Sequence, residues 1–413
     1  MTPAEILASK DVLRPGPKGF AALLMRGAMA AMPFAFRVLR WLKPIPRFGK
    51  TFVATRYDDV REVFATDTAF GVPYAPKLDV IMGGEPFFLG MGDTPQYAHD
   101  TAAMRKVVRP EDLPHLGKRV EAMAEAIVAG SGGRVEVVDQ LVRRVTFDFC
   151  SEYFGVSNPP DGDLRVWGTR LFEYQFVASD EPLVEQVKVI APALRDHIDR
   201  EIAACKADPG KRDDVMARCL KLRDKGELDL TDVQIRTSLM GFIVGGPPQP
   251  PMVVPQAMEQ LLRRPKELAE AQAAARADDD DRLRGYVLEA MRFDPLAPGL
   301  PRITLEDRML ARGTRHQRLI PEGSTILAAF ASAMMDGRRI PDPRRFDPHR
   351  LSHEYIHFGY RLHQCFGMHI NLATLHMMLK PLLKQDKLRR APGSAGHLRK
   401  SGAFAEELTV EFG

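Results

Sequence analysis

His357, His363, Cys365 and His369 fall within one short stretch, HFGYRLHQCFGMH. Thiolate and imidazole are the donors that zinc accepts. A cysteine near a histidine can equally supply a nucleophile and its base. A third possibility is a single thiolate ligand to a larger cofactor. The spacing H-x5-H-x-C-x3-H, with His376 further on, fits no recurrent zinc pattern. The residues that position this stretch lie upstream.

The bounds are plain. The chain has 413 residues, 45% of them hydrophobic and 27% charged, with a formal net charge of +4. That composition suits a folded globular protein. No dense basic stripe with interleaved aromatics suggests nucleic acid. Cys150, Cys205, Cys219 and Cys365 have no paired spacing, so a reducing compartment is expected and no disulfide framework. The stretch from Phe20 to Leu42 is apolar but broken by Arg26, Pro33, Arg37 and Arg40. No uncharged run in it reaches the ~18 residues of a membrane span, and it stands too far inside to read as a cleaved signal. It is expected as a packed helix, at most touching a membrane surface. A cytoplasmic protein without a transmembrane anchor is the expectation.

Most of the chain reads as helix, with segments at 57–66, 96–108, 116–130, 138–155, 183–206, 231–246, 255–273, 279–292 and 367–384. Strand-like pieces cluster near residue 50 and over 301–332. The fold class is mainly α with a small β region, read as a single domain over 1–413. In DRLRGYVLEAMRFDP, Glu289 and Arg292 share a helix face, and Pro295 stops the helix. On its own such a pair is commonly a surface ion pair. IPDPRRFDPHR, Ile340 to Arg350, holds three prolines and must be an irregular, stiff meander. Arg345 or Arg350 can satisfy its backbone carbonyls.

The order of these features resembles the cytochrome P-450 superfamily of haem-thiolate enzymes. The matches are TRYDDVREVF, Glu289 with Arg292, Arg302 in PRITLEDRML, the IPEG turn, the PDPRRFDPHR meander and FGYRLHQCFG. Each alone is weak; the ordered set covers nearly the whole chain. The resemblance implies the cytochrome P-450 fold and a haem b whose iron takes the thiolate of Cys365, a ligand that favours O–O cleavage. The N-terminus of the following helix suits such an anion. Phe358 is then expected to shield the sulfur, and Gly359 and Gly367 to allow tight turns. His363 and Arg302 match propionate contacts. Glu289, Arg292 and Arg345 match the ion-pair network that braces the cysteine loop.

The sequence also departs from the family. The second glycine of its FGxG loop is Arg361, so a position that favours positive φ carries a Cβ. The loop is expected to take a different path or to hold Arg361 strained. Arg361 can instead meet a propionate, face a redox partner with Arg338, Arg339 and Arg344, or simply stand in solvent. Thr231 and Gln234 form a capping box opening a long apolar helix that resembles the one crossing the oxygen side of haem. There the family's glycine pair, Gly245 and Gly246 here, precedes an acid and a threonine. This chain has Pro248 and Gln249 at those positions, inside Pro-Pro-Gln-Pro-Pro, and the prolines must open or kink the helix. Gln249 can hold water but cannot titrate. In GDTPQYAHDTAAMRKVV the arginine comes about a turn late, leaving His99 and Arg105 as propionate contacts or solvent-facing residues. Phe87 and Phe88 fall where the family roofs its substrate pocket.

The expected function is monooxygenation of a small, largely apolar organic substrate, with electrons from a separate ferredoxin-type donor. The rival is a peroxygenase, hydroperoxide isomerase or dehydratase needing no external electrons; a third reading is a haem- or ligand-binding protein without turnover.

Overall fold

The computed structural model describes residues 2–16, 19–208 and 210–413; the side chains of Ala21, Ala22 and Arg26 lie outside the described set. The chain is mainly helical with small β-sheets. It divides into two compact units, Met1–Arg14 with Tyr74–Met252, and Pro15–Pro73 with Val253–Gly413.

The first unit is built on the helices Ala75–Met82, Pro95–Val107, Leu113–Ala129, Arg144–Phe154, Leu164–Phe176, Glu181–Ala207, Val215–Asp224 and Asp232–Gly245. Their starts are chemically marked. Thr94, Asp163, Asp180 and Asp214 each accept a first-turn N–H through a side-chain oxygen. Thr231 and Gln234 close the capping box: the Thr231 hydroxyl accepts from the Gln234 amide at 3.2 Å, and Gln234 Oε1 accepts from the Thr231 amide at 2.9 Å. The segment before Arg144 forms wider π-type turns over Val137–Arg143. Leu164–Phe176, which the sequence pattern missed, is buried on almost every side. A helix enclosed all round has no apolar stripe to read.

The second unit holds a five-stranded sheet in the order Arg47–Phe48, Thr51–Ala54, Thr325–Ala328, Leu300–Thr304, Phe70–Gly71. Thr51–Ala54 runs parallel to Thr325–Ala328, and Leu300–Thr304 runs antiparallel to it. Phe52, Phe64, Phe70, Ile326 and Phe330 form the core against it. The alternation of Leu300–Thr304 turns Arg302 and Thr304 inward. The helices Asp280–Phe293 and Met368–Leu383 complete the frame around the cysteine.

Two expectations need correction. The helix read over 255–273 is two helices, Pro250–Leu262 and Pro265–Arg276. Proline is tolerated in a first turn, where its missing N–H has no role, and the residue before it is pushed toward extended geometry. Arg264 accordingly has φ −128° and ψ 83°. The N-terminal helix, Gly19–Leu42, runs through Pro33 without stopping, but it is not packed along its length. Phe36 and Arg40 are buried near its end, and no described side chain before Met32 is even half-buried.

Candidate functional site

Backbone geometry brings Cys365 to the head of the Met368–Leu383 helix. Gly359 has φ 74°, and the Cys365 amide donates back to the Phe358 carbonyl at 2.7 Å, closing the loop. The Gln364 amide donates to Arg361 O at 2.9 Å. Gly367 caps the helix, and a Cβ there would sit 3.9 Å from Cys365 Sγ. The first-turn N–H groups of a helix favour negative charge at its head. Cys365 is half-buried, whereas Cys150, Cys205 and Cys219 are fully buried, and none of the four is in a disulfide. Burial pushes the Cys219 thiol up to about 12; such a group is inert. Only Cys365 combines accessibility with a helix terminus.

The loop at Arg361 keeps the path a glycine would take. Arg361 has φ 61°, in the left-handed region that costs a side-chain-bearing residue energy. Its guanidinium lies 5.3 Å from the Tyr360 ring centroid, and that of Arg61 lies 4.3 Å from the same ring. Arg61 also donates to the Tyr360 hydroxyl, which lowers the phenol from its ordinary value. Of the neighbouring cations, Arg339 pairs with Asp58 at 2.9 Å and Arg338 with the buried Asp336 at 3.0 Å, while Arg344 is exposed.

Behind the loop, Glu289 and Arg292 form a fully buried two-point pair, with contacts of 2.6 and 2.8 Å. Arg292 also donates to the carbonyls of Met334 at 3.0 Å and Pro343 at 2.7 Å. The expected third member, Arg345, is corrected by the geometry. Its side chain is exposed, and it contributes its carbonyl to Arg292 and Arg350. Arg350 takes the side-chain role: Nε meets Glu289 at 3.1 Å, and its Nη atoms hold the carbonyls of Pro341 and Asp342 at 2.8 and 3.0 Å. A proline-broken meander exposes such carbonyls, and a five-donor fork can gather them. The Tyr355 hydroxyl adds a 3.2 Å bond to Glu289; no sequence pattern marks it. His357 is turned away from zinc chemistry, its Nε2 bonded to the Leu288 carbonyl at 3.0 Å. Among the described residues no three His, Cys, Asp or Glu side chains gather as a metal-ligand set.

His363 and Arg302 test the fit of haem. Burial and then the positive charge of Arg302 carry the His363 imidazole down to about 4. A neutral imidazole and a guanidinium thus stand near one another in the same unit as the half-buried thiol. A macrocycle carrying a metal and two carboxylates would match that donor set, with Cys365 sulfur to hold the metal and the His363 imidazole and Arg302 guanidinium to hold the acids. The residues fit the group.

In the first unit, the helix Asp232–Gly245 ends at the glycine pair, and the next begins at Pro250. Gly246 has φ −99° and ψ −79°, and a Cβ there would stand 2.7 Å from the Phe242 carbonyl. Pro248 is buried. The side-chain amide of Gln249 donates to the Gly245 carbonyl. The break therefore closes on itself. His99 Nδ1 lies 2.9 Å from the carboxylate of the buried Asp100, and Arg105 is exposed. Phe87 and Phe88 are buried with ring centroids 4.2 Å apart, and Phe88 stands edge-on to Tyr97 at 6.5 Å. A Cβ on Gly241 would meet the Phe87 ring at 2.2 Å.

The comparisons agree with this frame. The sequence pattern of the cytochrome P-450 family matches residues 176–400, more than half of the chain. Cytochrome P-450 monooxygenase PikC of Streptomyces venezuelae is 26% identical over 273 residues, a match spanning 66% of this chain and 61% of that protein. Cytochrome P-450 107B1 of Saccharopolyspora erythraea is 25% identical over 357 residues, 86% of this chain and 81% of the relative. The fold is that of the ligand-free cytochrome P-450 TbtJ1, with a TM-score of 0.76 at 23% identity, covering 93% of this chain and 98% of the other. A family pattern carried through that much of the sequence decides membership, and this protein belongs to the cytochrome P-450 family of oxidoreductases.

Proposed function

We propose that the protein is a haem-thiolate monooxygenase acting on a small, largely apolar organic molecule in the cytoplasm, with electrons from a separate ferredoxin-type donor. The observation that carries this is the half-buried Cys365 at a helix head, in a loop closed on Phe358 and backed by the Glu289–Arg292–Arg350 brace. Haem, when bound, supplies the oxygen chemistry, in which one atom of O2 enters a C–H bond and the other leaves as water, with two electrons and two protons consumed.

The chain's own residues hold and orient. Cys365 offers the sulfur, and the brace fixes the meander behind its loop. His363 and Arg302 receive carboxylates; for His99 and Arg105 the same role rests on resemblance alone. The buried Phe87 and Phe88 favour an apolar substrate. Gly245, Gly246, Pro248 and Gln249 are assigned to the oxygen side by resemblance, with Arg361 presented toward the electron donor.

One observation favours a second reading. Pro248 and Gln249 supply neither acid nor hydroxyl, and the Gln249 amide is committed to Gly245. A chain without a titrating group there suits a substrate that already carries its oxygen, as a peroxide or hydroperoxide. The test is the carbon-monoxide difference spectrum of reduced wild type and Cys365→Ala, followed by turnover with NADPH and a surrogate ferredoxin system or with hydroperoxide alone. A red-shifted thiolate band lost in the variant, with NADPH-dependent product, supports the first reading. Product from hydroperoxide alone selects the second. Wild type lacking the shifted band overturns both.

A further inference from the structure

We infer that the Gly19–Leu42 helix and the hairpin that follows it lie along an anionic lipid surface. Helices in water are held mainly by burying one face, yet the residues before Met32 bury none that is described. At 1.5 Å per residue this leaves roughly 20 Å of apolar helix uncovered. Phe20 is 72% exposed, Leu23 58% and Leu24 59%. The exposed apolar groups continue past the packed end of the helix, to Trp41 at 74% and to Phe48 on the hairpin at 61%.

Charge identifies what covers this face. Between Asp11 and Asp58 the sequence has nine lysines and arginines and no carboxylate. Arg37, Lys43, Arg47 and Lys50 are exposed beside the aromatic groups. Tryptophan set among cations is the side chain of a membrane–water interface, and basic residues there draw anionic headgroups. No described helix is long and apolar enough to cross a membrane, so the segment lies in the interface plane. A second copy of the chain would bring an identical set of cations against this one. An anionic surface covers the apolar groups and answers the charge together.

Flotation of the full-length protein with vesicles of phosphatidylcholine, with and without phosphatidylglycerol, tests this. The chain has two tryptophans, and Trp167 is buried, so a blue shift of emission on binding reports Trp41. Wild type should float with anionic vesicles, shift its emission, and detach in high salt. Leu23→Asp/Leu24→Asp and Lys43→Glu/Lys50→Glu should each lower the bound fraction by roughly tenfold or more. Unchanged melting temperatures would show that both variants fold. Equal binding to neutral vesicles, or none to either, overturns the inference. So does a dimer in light scattering that Leu23→Asp/Leu24→Asp dissociates, since a second copy would then cover the face.

Discussion

Arg350 Nε stands 3.1 Å from Glu289 Oε1, with the two side chains 3% and 0% exposed. Their meeting ties the proline meander to the helix Asp280–Phe293. Removing one partner of a buried ion pair leaves charge and carbonyls unsatisfied, on the order of 3 kcal/mol. Arg350→Ala should therefore lower the melting temperature sharply and reduce the haem retained on purification. Arg345→Ala keeps the carbonyl that Arg345 contributes and loses only an exposed side chain, so its effect should stay within about 0.5 kcal/mol. Thermal unfolding of the two variants side by side decides it. Equal losses would show that the brace does not discriminate between these arginines.

Arg361 is held at φ 61°. Left-handed geometry costs a side-chain-bearing residue about 1–2 kcal/mol, and a β-branched one more. Arg361→Gly should melt at or above the wild-type temperature, even with its contact to Tyr360 removed. Arg361→Val should melt below it. A drop in the glycine variant as large as in the valine variant would mean that the guanidinium, rather than the backbone, secures the loop.

These two sites show what the sequence reveals and what it hides. Glu289 and Arg292 are legible because three residues along a helix place side chains on one face, whatever lies around them. The third partner is not: Arg345 and Arg350 share one irregular meander, and only the path of the prolines turns Arg350 inward. Tyr355 and the Arg61–Tyr360 contact join residues distant in sequence or unmarked by any period. The Thr231–Gln234 cap is local and was readable. Leu164–Phe176 was not, because burial on all sides erases periodicity. The Gly19–Leu42 helix misled in the opposite direction, since an apolar composition says nothing of whether a neighbour exists to cover it.

Gln249 spans the helix break through its own side chain, its amide donating to the Gly245 carbonyl. The four-residue gap leaves that carbonyl without its helical partner, so the side-chain bond replaces a lost backbone one. Gln249→Ala should cost about 1 kcal/mol. Gln249→Glu should cost more at neutral pH, because a carboxylate cannot donate and repels the carbonyl. Denaturant unfolding should thus rank wild type above alanine and alanine above glutamate. A glutamate variant as stable as wild type would remove the bond from the account of the break.

His357 gives the protein a sensitivity to acid. Burial, only partly offset by the bond to Leu288, carries its imidazole from 6.5 down to about 4. Between those values the unfolded chain binds a proton that the folded chain refuses, so stability must fall as pH drops. The contribution is complete above about 6.5 and is lost progressively down to about 4, amounting to about 3 kcal/mol at most. His357→Gln keeps a donor for the Leu288 carbonyl and cannot titrate. Its stability at neutral pH should lie slightly below that of wild type, while its decline between pH 6.5 and 4 should be shallower. His376, held at about 4 chiefly by burial, preserves its own share of the slope in both proteins. Unfolding free energies measured across that window should therefore converge and then cross toward low pH, and parallel curves would show that His357 titrates alike in the folded and unfolded states.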